Sequence, residues 1–199
     1  MENSKTREPQ QKRSIEKKNR IIEVGFQLMC ENGYQKTTTS DIAKAAGVST
    51  GIIYSYFKDK HDIFIAGLEL YGNKMLVPVY DQFTFPLNIK ESLNTIIDSL
   101  IEGHRLFINA HKEIESLVMT NDDVAHIMLQ FEMRTTKDLE AFLIKAGFSS
   151  DNLLEKTHII YNMIESLCHE LIFHKHEGLN YSQMRTIVVE TVLTILECE

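Results

Sequence analysis

Between Gly33 and Phe64 the chain reads GYQKTTTSDIAKAAGVSTGIIYSYFKDKHDIF, and the helix caps in this stretch constrain the fold more than any other feature. Thr38 is a good N-cap, and Asp41 stands three residues on, in a capping-box position. Gly47 stops the helix after about two turns, as a left-handed C-terminal glycine does. Ser49 can cap the next short helix, TGIIYSYF, and Asp59 with Asp62 can cap the one after it. Two short capped helices joined through a Gly-containing turn form a helix-turn-helix pattern.

The remaining periodicity is helical almost throughout, with no β alternation of useful length and no internal repeat. Residues 1–13 are polar, contain Pro9, and read as a flexible tail. Ile15, Ile22, Phe26 and Met29, widened by Ile21 and Leu28, make a helical stripe that ends at Gly33. Phe64, Leu68, Tyr71 and Met75 make another, ending near Pro78, and Pro86 and Asn88 mark a new start. Leu93, Ile97, Leu100, His104 and Phe107 follow. A short piece around 114–119 stops at Thr120-Asn121-Asp122. Val124, Met128, Phe131, Leu139 and Phe142 end at Gly147. Ser149, Ser150 or Asp151 can cap a long helix from Leu153 to Ile172, stopped by Gly178, and a last helix runs from about Met184 to Leu196. The expected fold is all-α with about nine helices. A helix-turn-helix head occupies 14–60 and a helical body 61–199.

Of 199 residues, 43% are apolar and only 9 are Gly and 3 Pro, which excludes collagen-like and turn-dense all-β chains. No apolar run approaches the roughly 18 residues that cross a bilayer, and the first twenty residues are no signal peptide. Three cysteines, odd in number and far apart, suggest no disulfide framework and fit a reducing cytoplasm. The net charge of −7 is uneven: residues 1–60 hold 11 Lys/Arg against 7 Asp/Glu, and the remainder holds 10 against 21. A basic head on an acidic body suits a polyanionic partner for the head, although a solvated charged N-terminus reads the same way.

Within the helix-turn-helix, Ile42, Ala43, Ala46, Val48, Ile53 and Phe57 fall at inward positions and can build a small core. Ser49, Thr50, Gly51, Tyr54 and Tyr56 fall on the outward face or N-terminal end of the second helix. Hydroxyls there can donate to phosphates without a full charge, Gly51 admits a close backbone approach, and a helix N-terminus favours an anion.

These residues carry a resemblance. The stretch from Ile15 to Phe64 resembles the DNA-binding domain of the tetracycline-repressor (TetR) family of bacterial regulators. The matching features are a first helix ending in Gly-aromatic, Thr-Thr before Asp-Ile-Ala, Ala-Gly-Val-Ser, and Gly-Ile-Ile-Tyr-Ser-Tyr-Phe-Lys-Asp-Lys. Beyond it the likeness is architectural, a helical body of matching length. The resemblance implies that Thr38 caps the second helix beside a phosphate and that Ser49, Thr50, Gly51, Tyr54 and Tyr56 face DNA. It implies that Lys60 starts the fourth helix and meets the DNA backbone. The chain departs from the family in having Thr50 where Lys or Arg is common and Ile52 where a small or polar residue is. An Ile52 facing the groove can touch a thymine methyl but cannot hydrogen-bond a base edge.

The last two helices carry apolar stripes wider than one small core requires. Leu167, Leu171, Ile187, Val188, Thr191, Val192 and Ile195 are candidates for a four-helix homodimer interface, which the resemblance also implies. A dimer would set two reading heads roughly 34–36 Å apart on double-stranded operator DNA. The other reading packs both helices within the monomer. Tyr71, Met75, Leu100, His104, Phe107, Met128, Phe131 and Met163 are candidates for an adaptable apolar pocket, because flexible thioethers and aromatics suit one and the family senses small molecules there. Taken singly each reads first as core, and His104 as a satisfied core histidine, while as a set several are expected to line a pocket.

No catalytic constellation, cofactor fingerprint or metal site emerges. His169 and His174 resemble a zinc-protease pair with one residue too many, which sets them about 140° apart on a helix. His174 and His176 flank Lys175 near a helix end. Cys168 beside His169 reads as a buried thiol. The function expected is a cytoplasmic DNA-binding transcriptional regulator, a repressor released from its operator by a small apolar or amphipathic inducer. The alternatives are the same fold without an inducer, in an architectural or activator role, and a metal-responsive helical protein using the histidines.

Overall fold

The computed structural model describes residues 7–80, 85–86 and 88–197; the side chains of 7–10 and 73–80 lie outside the described set. Among the described residues there are nine α-helices and no strand: α1 (Arg7–Asn32), α2 (Thr39–Ala46), α3 (Thr50–Tyr54), α4 (Lys60–Tyr80), α5 (Ile89–Leu106), α6 (Ile108–Val118), α7 (Asp122–Lys145), α8 (Leu153–Ile172) and α9 (Tyr181–Glu197). No described helix is long and apolar enough to cross a membrane.

The chain divides into two compact units. One, the head, runs up to Gly72 and includes Asn109–Ala125; the other, the body, comprises Asn73–Ile108 and the chain from His126 onward. This differs from a boundary at 60/61. The first half of α4, most of α6 and the start of α7 join the head. The reason is tertiary: Glu113 Oε1 accepts from the Tyr34 backbone N–H at 2.7 Å, and Asp123 pairs with His61 at 2.9 Å. Such contacts leave no mark on local periodicity.

Helix α1 begins at Arg7, where a polar tail through residue 13 was expected. Pro9 is its third residue, where the missing N–H would have had no intrahelical partner in any case. Ile21, Ile22, Phe26 and Met29 are buried as their spacing requires, but Ile15, also on the stripe, is 53% exposed. Two glycines close the head. A Cβ on Gly25 of α1 would lie 2.7 Å from Ile63 of α4 and 3.0 Å from Ile42 of α2. A Cβ on Gly67 of α4 would lie 2.4 Å from the Cβ of Phe26. Helices α1 and α4 therefore approach at a distance that only glycine permits. Phe26, Phe64 and Tyr34 fill the space beside the crossing, with successive ring centroids 5.2 Å apart.

In the body, α5, α8 and α9 pack on one another. Leu93, Ile97, Leu100, Ile160, Ile164, Leu167, Val189 and Val192 form the centre of one apolar cluster. Arg185 of α9 clamps the solvent side of α5. Its Nη1 donates to Asp98 at 2.6 Å, its Nε to the Asn94 side chain at 3.0 Å and its Nη2 to the Asn94 carbonyl at 2.8 Å. That fork holds the Asp98 carboxyl below the usual carboxylate range.

Candidate functional site

The helix-turn-helix forms as its caps dictate. Thr38 is the N-cap of α2: its hydroxyl accepts from the Asp41 N–H at 3.2 Å, and the Asp41 carboxylate accepts from the Thr38 backbone N–H at 2.9 Å. The Thr38 hydroxyl also donates to that carboxylate, and these bonds lower the Asp41 pKa. Gly47 closes α2 with φ of +70°. Ile42, Ala43, Ala46, Ile53 and Phe57 are buried, so the angle between α2 and α3 is set by a continuous apolar contact. Helix α3 stops at Tyr54, three residues short of the expected TGIIYSYF. The chain tightens there: Ser55 N–H and Oγ both donate to Ile52 O, and Tyr56 N–H donates to Ile53 O. Ser49 is its N-cap residue but makes no side-chain cap bond.

On the outward side, Ser49, Gly51 and Tyr54 are exposed, Tyr54 by 58%. Thr50 and Ile52 are half-buried. Tyr56 is half-buried as well, and its hydroxyl shares a 2.8 Å hydrogen bond with Ser14 Oγ of α1. The structure thus brings Thr38, Ser49, Gly51 and Tyr54 to the surface around one short helix. It turns Tyr56 partly toward α1.

Lys60 opens α4 as expected, but its ammonium is directed inward. Nζ donates to the carbonyls of Tyr34 (2.6 Å), Thr37 (2.9 Å) and Gln35 (3.3 Å) and lies 4.6 Å from the centre of the Tyr34 ring. An ammonium has three N–H donors, and here three carbonyls of the turn after α1 accept them. Sequence reading also missed Thr37 and the Tyr34–His61 contact beside it, although it marked Asp59 and Asp62 as the cap of α4. Thr37 is buried and donates to Gly33 O at 2.9 Å. Asp59 accepts from the backbone N–H of His61 and Asp62, while Asp62 accepts from Lys58 N–H, a reciprocal cap on α4. Tyr34 Oη lies 3.4 Å from His61 Nδ1, and His61 Nε2 lies 2.9 Å from Asp123. Burial, then the charge of Asp59, raises the Tyr34 pKa.

The body departs from the expected pocket. Its enclosed apolar cavity measures about 50 Å³ and is walled by residues such as Ile96, Leu100, Leu139, Phe142, Ile160 and Ile164. Of the eight candidates only Leu100 lines it. Tyr71 is buried in the head, its ring 6.1 Å from Phe26. His104 is sealed in the body but bonded to the Leu100 carbonyl and to Glu165. Phe107 is the C-cap of α5, Met128 and Phe131 are half-buried on α7, and the side chain of Met75 lies outside the described residues. Met163 lines a different feature, an open groove of about 480 Å³ between α8 and α9. Periodicity identified apolar faces but not which cluster each face joins.

That groove also contains Leu167 and Val188. Of the interface candidates, Leu167 and Val192 are buried in the core of the monomer, Ile187 is 55% exposed, and Leu171, Val188, Thr191 and Ile195 are half-buried. Ile159 on α8 is 52% exposed and borders the same groove, a residue the stripe analysis overlooked.

Comparison with known proteins completes the picture. Residues 21–66 match the family model described as "Bacterial regulatory proteins, tetR family". The HTH-type transcriptional regulator YvdT of Bacillus subtilis is 30% identical over 121 residues, covering 61% of this chain and 60% of that protein. The "Fatty acid metabolism regulator protein" of the same organism is 35% identical over 98 residues, covering 47% and 50%. The chain thus spans half to three-fifths of the length of these curated relatives. Among solved structures, a TetR-family regulator from Syntrophomonas wolfei superposes with a TM-score of 0.69 at 20% identity, covering 91% of this chain and 95% of that one. A transcriptional regulator from Streptomyces coelicolor A3(2) gives 0.73 at 16% identity, covering 92% and 99%. At such identities the structural likeness bears on fold.

Proposed function

We propose that this chain, whose residues 21–66 match the model of the TetR family of bacterial regulatory proteins, is a homodimeric, DNA-binding transcriptional repressor released by a small apolar or amphipathic ligand. The observation that carries this reading is the surface around α3. Ser49, Gly51 and Tyr54 are exposed, uncharged and mounted on a buried apolar core. Such a surface can approach phosphates and base edges closely, with donors fixed in place by the helix. Lys60 enters this proposal as a positioning residue, since its donors hold the turn that leads into α2. The half-exposed strip of Ile159, Met163, Ile187 and Val188 supports pairing of two copies through α8 and α9.

The largely apolar cavity among α5, α7, α8 and α9 supports an alkyl chain as ligand, and the relative named for fatty acid metabolism makes that class the first to screen. A ligand need only prefer one arrangement of the body for operator affinity to change. A second reading, a regulator without an inducer, draws support from the cavity's size. About 50 Å³ is far below the roughly 300–1,000 Å³ of drug-sized pockets.

Gel retardation on the DNA upstream of the protein's own gene tests the central claim. Wild-type protein should retain a fragment at low ionic strength, and Tyr54→Ala should lose most of that affinity while keeping its helix content and dimer. Equal retention by Tyr54→Ala would remove α3 as the reading element. A thermal-shift screen with alkyl compounds separates the two readings. A compound that raises Tm and weakens retention supports the sensor, and uniform silence supports the inducer-free regulator.

A further inference from the structure

Helix α1 starts well before the core of the head. Residues 11–20 are exposed apart from Ser14, and burial begins at Ile21. A helical segment that is polar all round gains little from packing. Two contacts tether this one to the helix-turn-helix. Ser14 Oγ shares its 2.8 Å bond with Tyr56 Oη, and Lys18 Nζ lies 5.7 Å from the centre of the Phe57 ring. Two residues on, Arg20 reaches the turn between α2 and α3, where its Nη2 would lie 3.8 Å from a Cβ on Gly47. The exposed segment therefore runs beside the helix-turn-helix, from Tyr56 after α3 to the turn before it.

Its charges are sorted by face. Arg13, Lys17 and Arg20, spaced i, i+4 and i+7, form one row along the helix. Like charges one turn apart destabilise a helix, so this row costs the free protein stability. Glu16 and Glu23 edge the row one turn either side of Arg20, yet Arg20 reaches Gly47 rather than pairing with either. Among the described residues none of the three cations forms an ion pair with a carboxylate. Other acids of the head are engaged elsewhere: Asp41 with Thr38, Asp59 and Asp62 with the start of α4, Glu113 with Tyr34 and Asp123 with His61.

An unpaired row of cations suits a polyanion, and two observations select which one. Residues 11–20 carry a single large apolar side chain, Ile15, so the segment has no face to bury in a lipid surface. The segment also flanks α3, whose exposed Ser49, Gly51 and Tyr54 carry the operator reading. We infer that Arg13, Lys17 and Arg20 are a second contact of the head with duplex DNA, a row that grips the phosphate backbone beside α3. This inference rests on the operator reading and extends it to a new surface. Seven residues of helix span about 10 Å, enough to meet two or three successive phosphates of one strand. Contacts of that kind fix the position of the head and add affinity without reading a base. They also supply the opposite charge that the row lacks in the free protein.

Binding of the full-length protein to the upstream duplex, followed over a series of KCl concentrations, tests this. Each phosphate contact steepens the fall of log K with log salt by about 0.9, so Arg13→Gln/Lys17→Gln should flatten the slope by about 1.8 per bound head, and adding Arg20→Gln should bring the change to about 2.7. The loss of affinity should be the same on a shuffled duplex of equal length, because phosphates carry no sequence. Lys12→Gln/Lys112→Gln removes two exposed charges of the head that lie off the row and should keep the wild-type slope. The Tm of Arg13→Gln/Lys17→Gln should be unchanged or higher, since a like-charge pair is gone. An unchanged slope in the triple variant overturns the inference. So does equal flattening by Lys12→Gln/Lys112→Gln, or a drop in the Tm of Arg13→Gln/Lys17→Gln, which would make the row part of the fold. Binding of wild type to anionic phospholipid vesicles, abolished in the triple variant while the DNA slope holds, would assign the row to a membrane surface instead. Wild-type protein that retains no duplex at low salt defeats the operator reading and this inference together, whereas retention with an unaltered slope in the triple variant defeats this inference alone.

Discussion

In the head, a Cβ added at Gly67 would sit 2.4 Å from Phe26, whereas in the body comparable apolar packing leaves about 50 Å³ unfilled. Both regions are helices buried on apolar stripes, yet the α1–α4 crossing leaves no spare room while the body has some. The difference matches what each is proposed to do. A reading surface must hold its donors within fractions of an ångström, and tight contact on every side achieves that. A region that answers to ligands needs at least two packings of similar free energy, which unfilled volume makes accessible.

The largest break in this comparison is Gly67→Ala. Alanine is the better helix former by about 1 kcal/mol, but the clash is with a side-chain root that cannot swing away. We expect net destabilisation of about 2–3 kcal/mol by urea unfolding, and an unchanged midpoint would show that α1 and α4 can separate cheaply. Lys60→Ala comes next. Three carbonyls lose a charged donor, and a loss of about 2 kcal/mol is expected. If Lys60 instead served DNA alone, stability would hold and only the salt dependence of operator binding would fall.

Arg185→Ala tests the body. Asp98 is mostly exposed, so about 1 kcal/mol is expected despite the close fork. The Asp98 carboxyl has a lowered pKa in the fold, so this contribution is fully present above the ordinary carboxylate range and is lost as pH falls below it. The Tm difference between wild type and Arg185→Ala should therefore be larger at pH 6 than below the ordinary carboxylate range, where it shrinks as Asp98 takes up its proton. The smallest effect is expected for Val192→Ile, which adds one methylene at the cavity wall. It should be neutral or stabilising by at most about 0.8 kcal/mol, and a clear loss of stability would mean that the cavity cannot accept even one carbon.

Local features of this fold were legible in the sequence. Thr38 with Asp41, Asp59 with Asp62, Asn88 before Glu91 and Asn121 before Asp123 all cap helices, because a cap is an interaction within three residues. Gly33, Gly47 and Gly147 end helices with φ between +70° and +98° for the same local reason, whereas α8 stops at Ile172, with Phe173 as its C-cap, well before Gly178. Gly25 and Gly67 look no different in sequence, yet they serve a helix crossing between residues some forty positions apart. Lys60 read as a cation at a helix start, and only the fold reveals the three carbonyls waiting for it. Tyr71 shared a stripe with candidate pocket residues and went to the head, since spacing defines a face and not its neighbour. Around α3, Ser49, Gly51 and Tyr54 are exposed opposite the recognisable buried partners Ile42, Ile53 and Phe57, while Thr50, Ile52 and Tyr56 are half-buried, Tyr56 through its bond to Ser14 far away in sequence.

The tie of Asn109–Ala125 to the head has a consequence for dissecting or recombining this protein. A fragment ending after α4 would lack Glu113 and Asp123, stripping Tyr34 N–H and His61 of their carboxylates. It would also lack Ala110, Ile114, Leu117 and Val124, all buried in the intact chain. Chimeras that exchange reading heads by splicing at a single junction would inherit a head with one wall missing. A transplant that carries the later segment along, as a second graft, keeps that wall.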